Sequence, residues 1–425
     1  MNHLVVMAAG LGWEWLKRRR AVRLDDLAFR SAKGVFPAVT CVAQAALRTG
    51  AEVGSHGMVA NGLYMRNLRR PLFWEQSSAL VEGPRIWDGA RARGEKVGMY
   101  FFQQSMGESV DSIISPAPIH KHGGGMVMSS YTQPPECAGT IEKKLGAFPL
   151  IRYWGPFASP KVGRRVVADF REMIALRDVD TAFLYLPTLD YNLQRHGPDS
   201  LSARSSLREL WRQLRELRAL ASAANAEFTV IGDYEIAPVT EPCVNPNLAL
   251  RSAGYFKVRK IGEAAYPDFN ASSAFAMCDH EIAHVYVRDG SDVERVARLF
   301  SESGRYESVE IRSSQSWASA NAGEILLLAK RGSWCAYPWW TDRREAPDWA
   351  THVDIHNKPG FDPCELFLDK WYLPRTCQNP ARVKGTHGRP CEIAWASTNP
   401  SVGGESLVEI ARSLFQDGKG AVADA

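Results

Sequence analysis

No segment of the chain approaches the ~18–20 consecutive apolar residues that a membrane-spanning helix needs. No two cysteines form a CxxC pair, which removes a zinc-ribbon reading. Eight cysteines in 425 residues are too sparse for a disulfide scaffold, so they are read as mostly reduced thiols of a cytoplasmic protein. An excess of either charge is missing too: 51 Lys+Arg against 47 Asp+Glu leave a net +4. That balance, with no basic repeat interleaved with aromatics, points away from a nucleic-acid duplex or an anionic membrane as partner. The apolar start Leu4-Val-Val-Met7-Ala-Ala9 has no basic stretch before it. Arg18-Arg19-Arg20 come after it, the wrong order for a signal peptide. It reads as a first core strand ending near Gly10. Internal repeats are also lacking. What remains is an ordinary globular composition, 45% hydrophobic and 23% charged.

Short apolar runs bounded by turn residues suit buried parallel strands: Leu4–Ala9, Val97–Phe102, Ala182–Leu186, Phe228–Ile231, Ala283–Val287 and Glu324–Ala329. Between them lie helical periods. Leu207, Leu210, Leu214, Leu217 and Leu220 make one apolar stripe over about 205–224. Val166, Phe170 and Ile174 make another within 161–176, and a third helix is expected to start at Ser291 with Glu294 three residues on. Such alternation implies an α/β fold, a mostly parallel central sheet flanked by helices. We treat 1–425 as one domain. Residues 105–142, rich in Pro, Gly and His, form a candidate inserted lid. Residues 416–425 read as a loose tail after a helix over Leu407–Phe415.

Residues with chemistry cluster in a few places. Thr40, in Pro37-Ala-Val-Thr40-Cys41, sits where a helix N-cap is expected. Its hydroxyl is either a plain cap or a group facing a phosphate at the helix N-terminus. Asn61, in the Gly-bounded loop His56-Gly57-Met58-Val59-Ala60-Asn61-Gly62, is either a turn residue or an amide donor to an anionic oxygen. Asp190 and Asp233 each follow an apolar strand, where open α/β sheets bind ligands. They are either loop carboxylates or a pair inviting a divalent cation. His387 is held between glycines in Gly385-Thr386-His387-Gly388 and is easily presented to a cleft.

Taken in order, these segments resemble the alkaline phosphatase superfamily, and within it the type I phosphodiesterase/nucleotide pyrophosphatase branch. The branch has a Thr or Ser nucleophile at a helix N-terminus, an HGxxxN-like loop, an Asp-x-x-x-His-x-x-Gly-Pro segment, an Asp-His pair after a strand, and a late Gly-x-His-Gly. Thr40, His56 to Asn61, Asp190 to Pro198, Gly232-Asp233 and Gly385 to Gly388 match in that order. The resemblance implies an alkaline phosphatase-like αβα sandwich. It also implies a metal-dependent phosphohydrolase acting on phosphodiester or pyrophosphate bonds. Thr40 would be the nucleophile, Asn61 would bind phosphate, and Asp190, Asp233 and His387 would hold one or two zinc ions. A small phosphate ester or nucleotide is the implied substrate.

The departures carry as much information. The metal-binding Asp that ends the first strand aligns with Met7, the His after Asp190 with Gln194, and the His after Asp233 with Tyr234. A thioether is a poor ligand for such ions. Gln194, His280, Asp354 and His356 are either replacement ligands or packed supports. Asp354 and His356, two apart, would share one face of a strand. His280 and His284 would share a face only if helical, whereas Val285-Tyr-Val reads as strand. The losses open the alternative of a catalytically altered relative that binds a phosphorylated ligand or a partner.

Overall fold

The computed structural model describes residues 1–123, 125–312, 317–352, 365–368 and 376–415. Its first strands are β1 (His3–Ala8), β2 (Arg30–Lys33), β3 (Val97–Tyr100), β4 (Ser112–Pro116), β5 (Ser130–Gln133), β6 (Thr181–Leu186) and β7 (Glu227–Gly232). β8 (Ala274–Asp279), β9 (Ile282–Val287), β10 (Tyr306–Ile311) and β11 (Ile325–Ala329) follow, and β12 (Glu392–Ser397) comes late. The helices used below are α1 (Thr40–Thr49), α2 (Val162–Leu176), α3 (Asp190–His196), α4 (Leu201–Ala223) and α5 (Val293–Glu302).

The central sheet has eight strands in the order β5-β4-β3-β6-β1-β7-β12-β2. Its middle is parallel, from β4 through β3, β6 and β1 to β7. β5, β12 and β2 join antiparallel. β1 and β6 are buried along their whole length, which is why they read as unbroken apolar runs rather than alternating ones. Helices cover both faces. α4 buries Leu207, Leu210, Leu214 and Leu217 and sends its Arg and Glu residues to solvent. Ser200 caps its first turn by accepting from the Ala203 amide at 3.0 Å. The mixed α/β architecture with a large flanked sheet is the one expected.

Three expectations are corrected. Ala283–Val287 and Glu324–Ala329 are not strands of the central sheet. They lie in a separate antiparallel sheet of four strands, ordered β8-β9-β11-β10. Both runs are buried on both faces, so they carry the same apolar signature as a parallel strand. Residues 105–142 are not a lid inserted whole. Within them β4 and β5 belong to the central sheet, and only a short hairpin over Ile119–His120 and Met126–Val127 stands apart. Strands this short leave too little periodicity to be read beside so many turn residues. The third helix begins at Val293, after a single turn capped by Asp289, rather than at Ser291. The tail at 416–425 lies outside the described residues.

Candidate active site

The cleft opens at the carboxyl ends of β1, β6 and β7, where a topological argument places ligands in an open sheet. Thr40, Asp190, Gln194, Tyr234, His280 and His387 line it together. Trp74, Tyr153, Trp154, Tyr185 and Tyr191, not anticipated at this place, complete an aromatic wall, with Gln103 beside them. Asp233 lies fully buried just below.

Thr40 is not the cap of α1. Val39 holds the extended N-cap conformation, and Thr40 is the first helical residue with its hydroxyl unused by the helix. That Oγ1 instead lies 3.3 Å from the Tyr234 hydroxyl. The capping duty passes to Asn61, whose Oδ1 accepts from the Cys41 amide at 3.0 Å. Asn61 is itself gripped by Asp279: its main-chain N–H donates to Oδ2 at 2.7 Å and its Nδ2 donates to Oδ1 at 3.0 Å. Asn61 therefore ties the N-terminus of α1 to the end of β8, and one of its amide hydrogens is spent on a carboxylate.

Asp279 escaped the sequence reading because its partner lies far away in the chain. The signal was present all the same, in a carboxylate ending an apolar strand before a tight turn. Asp279 pairs with Ile282 across a two-residue hairpin, and His280 takes a left-handed φ of 58° there. This turn carries His280 into the cleft. His284 is not with it. It lies inside β9, bonded to the Val59 carbonyl at 3.1 Å and to the Gly323 amide at 3.4 Å. Asp354 and His356 fall outside the described residues.

Tyr234 organises the centre. Its hydroxyl donates to Asp190 Oδ1 at 2.9 Å. Its ring stacks on the His387 imidazole, with centroids 3.8 Å apart and planes 4° from parallel. His387 in turn lies 3.7 Å from the His280 ring, and its Nδ1 bonds the Ala38 carbonyl at 2.8 Å. Burial, reinforced by the neighbouring His280, holds His387 well below the usual imidazole range, so it is neutral. Gln194 Nε2 donates to Asp190 Oδ1 at 2.7 Å.

Asp233 is surrounded by donors. The amides of Gly10 and Tyr234 reach its Oδ1 at 2.8 Å each, and the Tyr185 hydroxyl reaches Oδ2 at 3.2 Å. Burial nevertheless pushes its carboxyl well above the ordinary range, with the nearby Asp190 adding to the shift. Glycine before it is required: a Cβ at Gly232 would stand 2.2 Å from the Leu11 carbonyl oxygen.

The profile of the type I phosphodiesterase/nucleotide pyrophosphatase family matches residues 3–362. The chain belongs to that family. Comparison with curated proteins by sequence finds no match. Among solved structures, murine ectonucleotide pyrophosphatase/phosphodiesterase 5 is similar at 15% identity, with a TM-score of 0.60 over 97% of this chain and 94% of its own. A second structure of that protein is an inactive variant in complex with AMP. Phosphonoacetate hydrolase from Sinorhizobium meliloti 1021, in complex with phosphonoformate, is similar at 14% identity, with the same TM-score and coverage. These likenesses establish the shared fold.

Members of this phosphodiesterase family generally depend on divalent metal, so the donors here need testing against it. The position in step with Asp233 at the end of β1 is Ala9, since Ala8 pairs with Gly232. The departure expected at Met7 is thus relocated: Met7 is fully buried inside the strand, and the strand end carries a methyl group. The oxygens of Asp233 face three donors rather than a gap. The Tyr234 hydroxyl lies 3.3 Å from Thr40 Oγ1 and 2.9 Å from Asp190 Oδ1, so both oxygens already have a partner. Among the described residues no three of His, Cys, Asp and Glu gather as an ion site. The residues present do not fit a two-metal centre.

Proposed function

We propose that this chain is an altered member of a phosphohydrolase family, which holds a phosphate ester against Thr40 without the two-metal engine. The observation that carries this reading is the Tyr234 side chain. It bonds Thr40 and Asp190 through its hydroxyl and stacks on His387, so the positions that would bind metal are tied to one another. A phosphoryl group entering the cleft meets the Thr40 hydroxyl at the positive end of α1. Trp74, Tyr153, Trp154 and Tyr191 offer ring faces for the rest of the ligand, which favours a nucleotide or an aryl ester. The AMP complex of a structural neighbour makes AMP the first probe.

A second reading keeps turnover. It is the metal-dependent phosphodiesterase or pyrophosphatase with a Thr40 nucleophile and zinc, and it is favoured by the survival of Thr40, Asp190, Asp233 and His387 in one place.

One experiment separates the two. The protein is purified without chelators, its zinc is measured, and AMP binding and diester hydrolysis are followed in the wild type and in Thr40→Ala. We expect less than one zinc per chain, no turnover, and AMP binding weakened about five- to tenfold by Thr40→Ala, the loss of one hydrogen bond. Near two zinc ions per chain, with turnover abolished in Thr40→Ala, would establish the second reading instead. The triple variant Ala9→Asp/Gln194→His/Tyr234→His rebuilds the missing donors, and we expect it to gain zinc that the wild type lacks.

A further inference from the structure

The second sheet carries a cleft away from the one just described. It has a volume of about 250 Å³, and its walls include Tyr64, Phe275, Tyr286, Arg66, Arg69 and Arg288. The floor is aromatic. The Tyr64 ring lies 4.8 Å from Tyr286 and 5.8 Å from Phe275. The rim is cationic. Arg69, Arg288 and Arg66 line it beside the half-buried Tyr64.

The guanidinium groups are held in place by main-chain oxygens. Arg69 Nη1 donates to the Asn270 carbonyl at 3.0 Å. Arg288 Nη2 donates to the Asn270 carbonyl at 2.6 Å and to the Ser272 carbonyl. Arg66 Nη2 donates to the Ala322 carbonyl at 2.6 Å, and its guanidinium lies 5.0 Å over the Tyr286 ring. Of the three, Arg66 is ion-paired, with Glu324 at 2.9 Å. Arg69 and Arg288 have no acidic partner among the described residues. Asp268, close by in the chain, faces Arg259 at 3.9 Å and accepts from the Asn270 and Ala271 amides.

Arg288 is exposed and Arg69 half-buried, and main-chain oxygens hold both guanidiniums beside an aromatic floor with no ion-pair partner among the described residues, so their remaining N–H groups can meet an anion at little desolvation cost. Arginine forks match phosphate or carboxylate oxygens, and the rings accept a flat body. The volume lies just below the usual range for small-molecule pockets, enough for one ring and one anionic group. We propose that this cleft is a second binding site, for a small organic anion that carries an aromatic or heteroaromatic ring next to a phosphate or carboxylate. The site is independent of the Thr40 pocket: β8 runs from Ala274 in this cleft to Asp279 under Asn61, roughly 17 Å at the rise of a strand.

The test is calorimetric titration with phenyl phosphate and, separately, with inorganic phosphate. In the wild type we expect two phenyl phosphate sites per chain. Arg69→Ala/Arg288→Ala should retain one, and Arg69→Ala alone should weaken the other at least fivefold. Thr40→Ala should change only the site that survives in the double variant. Inorganic phosphate should bind the arginine cleft at least fivefold more weakly than phenyl phosphate. Phenyl phosphate isotherms unaltered by both arginine variants would overturn the proposal. Equal affinity for the two probes would overturn the ring-bearing class. A single wild-type site that disappears with the arginines would support this cleft and count against the Thr40 pocket. Near-UV circular dichroism of the variants reports whether they fold, and the single variant keeps the test open if the double one does not.

Discussion

His3 shows how far burial alone can set a protonation state. It stands at the start of β1, 7% exposed, with its Nε2 2.8 Å from the Thr229 hydroxyl. Burial lowers its pKa from 6.5 to about 4, against a smaller opposing pull from Glu227. A group whose pKa is depressed on folding stabilises the fold fully above its unfolded value and loses that contribution as pH falls. We therefore expect the stability advantage of the wild type over His3→Gln to shrink below pH 6.5. The slope should be about 1.4 kcal/mol per pH unit near pH 5, and the total about 3 kcal/mol by pH 4. Urea midpoints of the two proteins across that range check this, and a pH-independent difference would mean that folding leaves the His3 pKa unshifted. At this same scale the candidate site was partly legible. Thr40, Asp190, Asp233 and His387 could be found because each sits at a strand end, a helix start or a glycine-flanked loop that spacing reveals. Asp279 showed the same strand-end signal, but its role could not be read, because that lies in two bonds to Asn61, 218 residues away. Nor could Tyr234: the missing histidine was visible, but a phenol linking Thr40, Asp190 and His387 is a fact of three dimensions.

Helix α1 is placed by charge as well as by packing. Arg48 in its last turn is fully buried, and its Nη1 lies 3.3 Å from Glu108 Oε2. Arg85 closes the other side, its Nε at 3.1 Å from both Glu108 oxygens. The Arg48 Nη1 also donates to the Gln104 carbonyl at 2.6 Å. Removing the carboxylate leaves a guanidinium in the interior with no counter-charge, a change that costs about 3–5 kcal/mol. We expect Glu108→Ala to lose stability in that range and to loosen the Thr40 end of α1, so that AMP binding weakens with it. Denaturant unfolding and titration of the same variant provide the check. The elements themselves were the most legible level. α4 and α2 followed their apolar stripes, and β1, β6 and β7 their buried runs. The errors came where period could not distinguish one sheet from another, as in β9 and β11, or where strands were too short to show a period, as in β4 and β5.

At the scale of the molecule, the central sheet is fixed by β1, which takes β6 on one side and β7 on the other. The late loop is fastened to the second sheet by Arg389, which pairs with buried Glu281 at 2.7 Å and with Glu307 at 3.0 Å. The two sheets thus meet where His387 and His280 touch. A parallel sheet could be anticipated from alternating elements, but the second sheet could not be separated from it, since both are built from the same kind of sequence. We expect a chain ending before Glu392 to lack a cooperative unfolding transition, because β7 and β2 would both be left without β12. Thermal unfolding followed by circular dichroism would show this, and a sharp transition would mean that β12 is dispensable.

That placement of β12 also dictates an order of events during synthesis. Arg30–Lys33 is translated long before Glu392–Ser397, yet among the described residues β12 is the only strand beside β2 in the sheet. The Ser31 hydroxyl waits for Glu392, its partner at 2.7 Å, which is translated 361 residues later. Until then the nascent protein carries an unpaired strand and an open edge on β7, the kind of surface that recruits chaperones or neighbouring chains. Shielding that edge in the interval between β2 and β12 is therefore a requirement that the strand order itself places on synthesis.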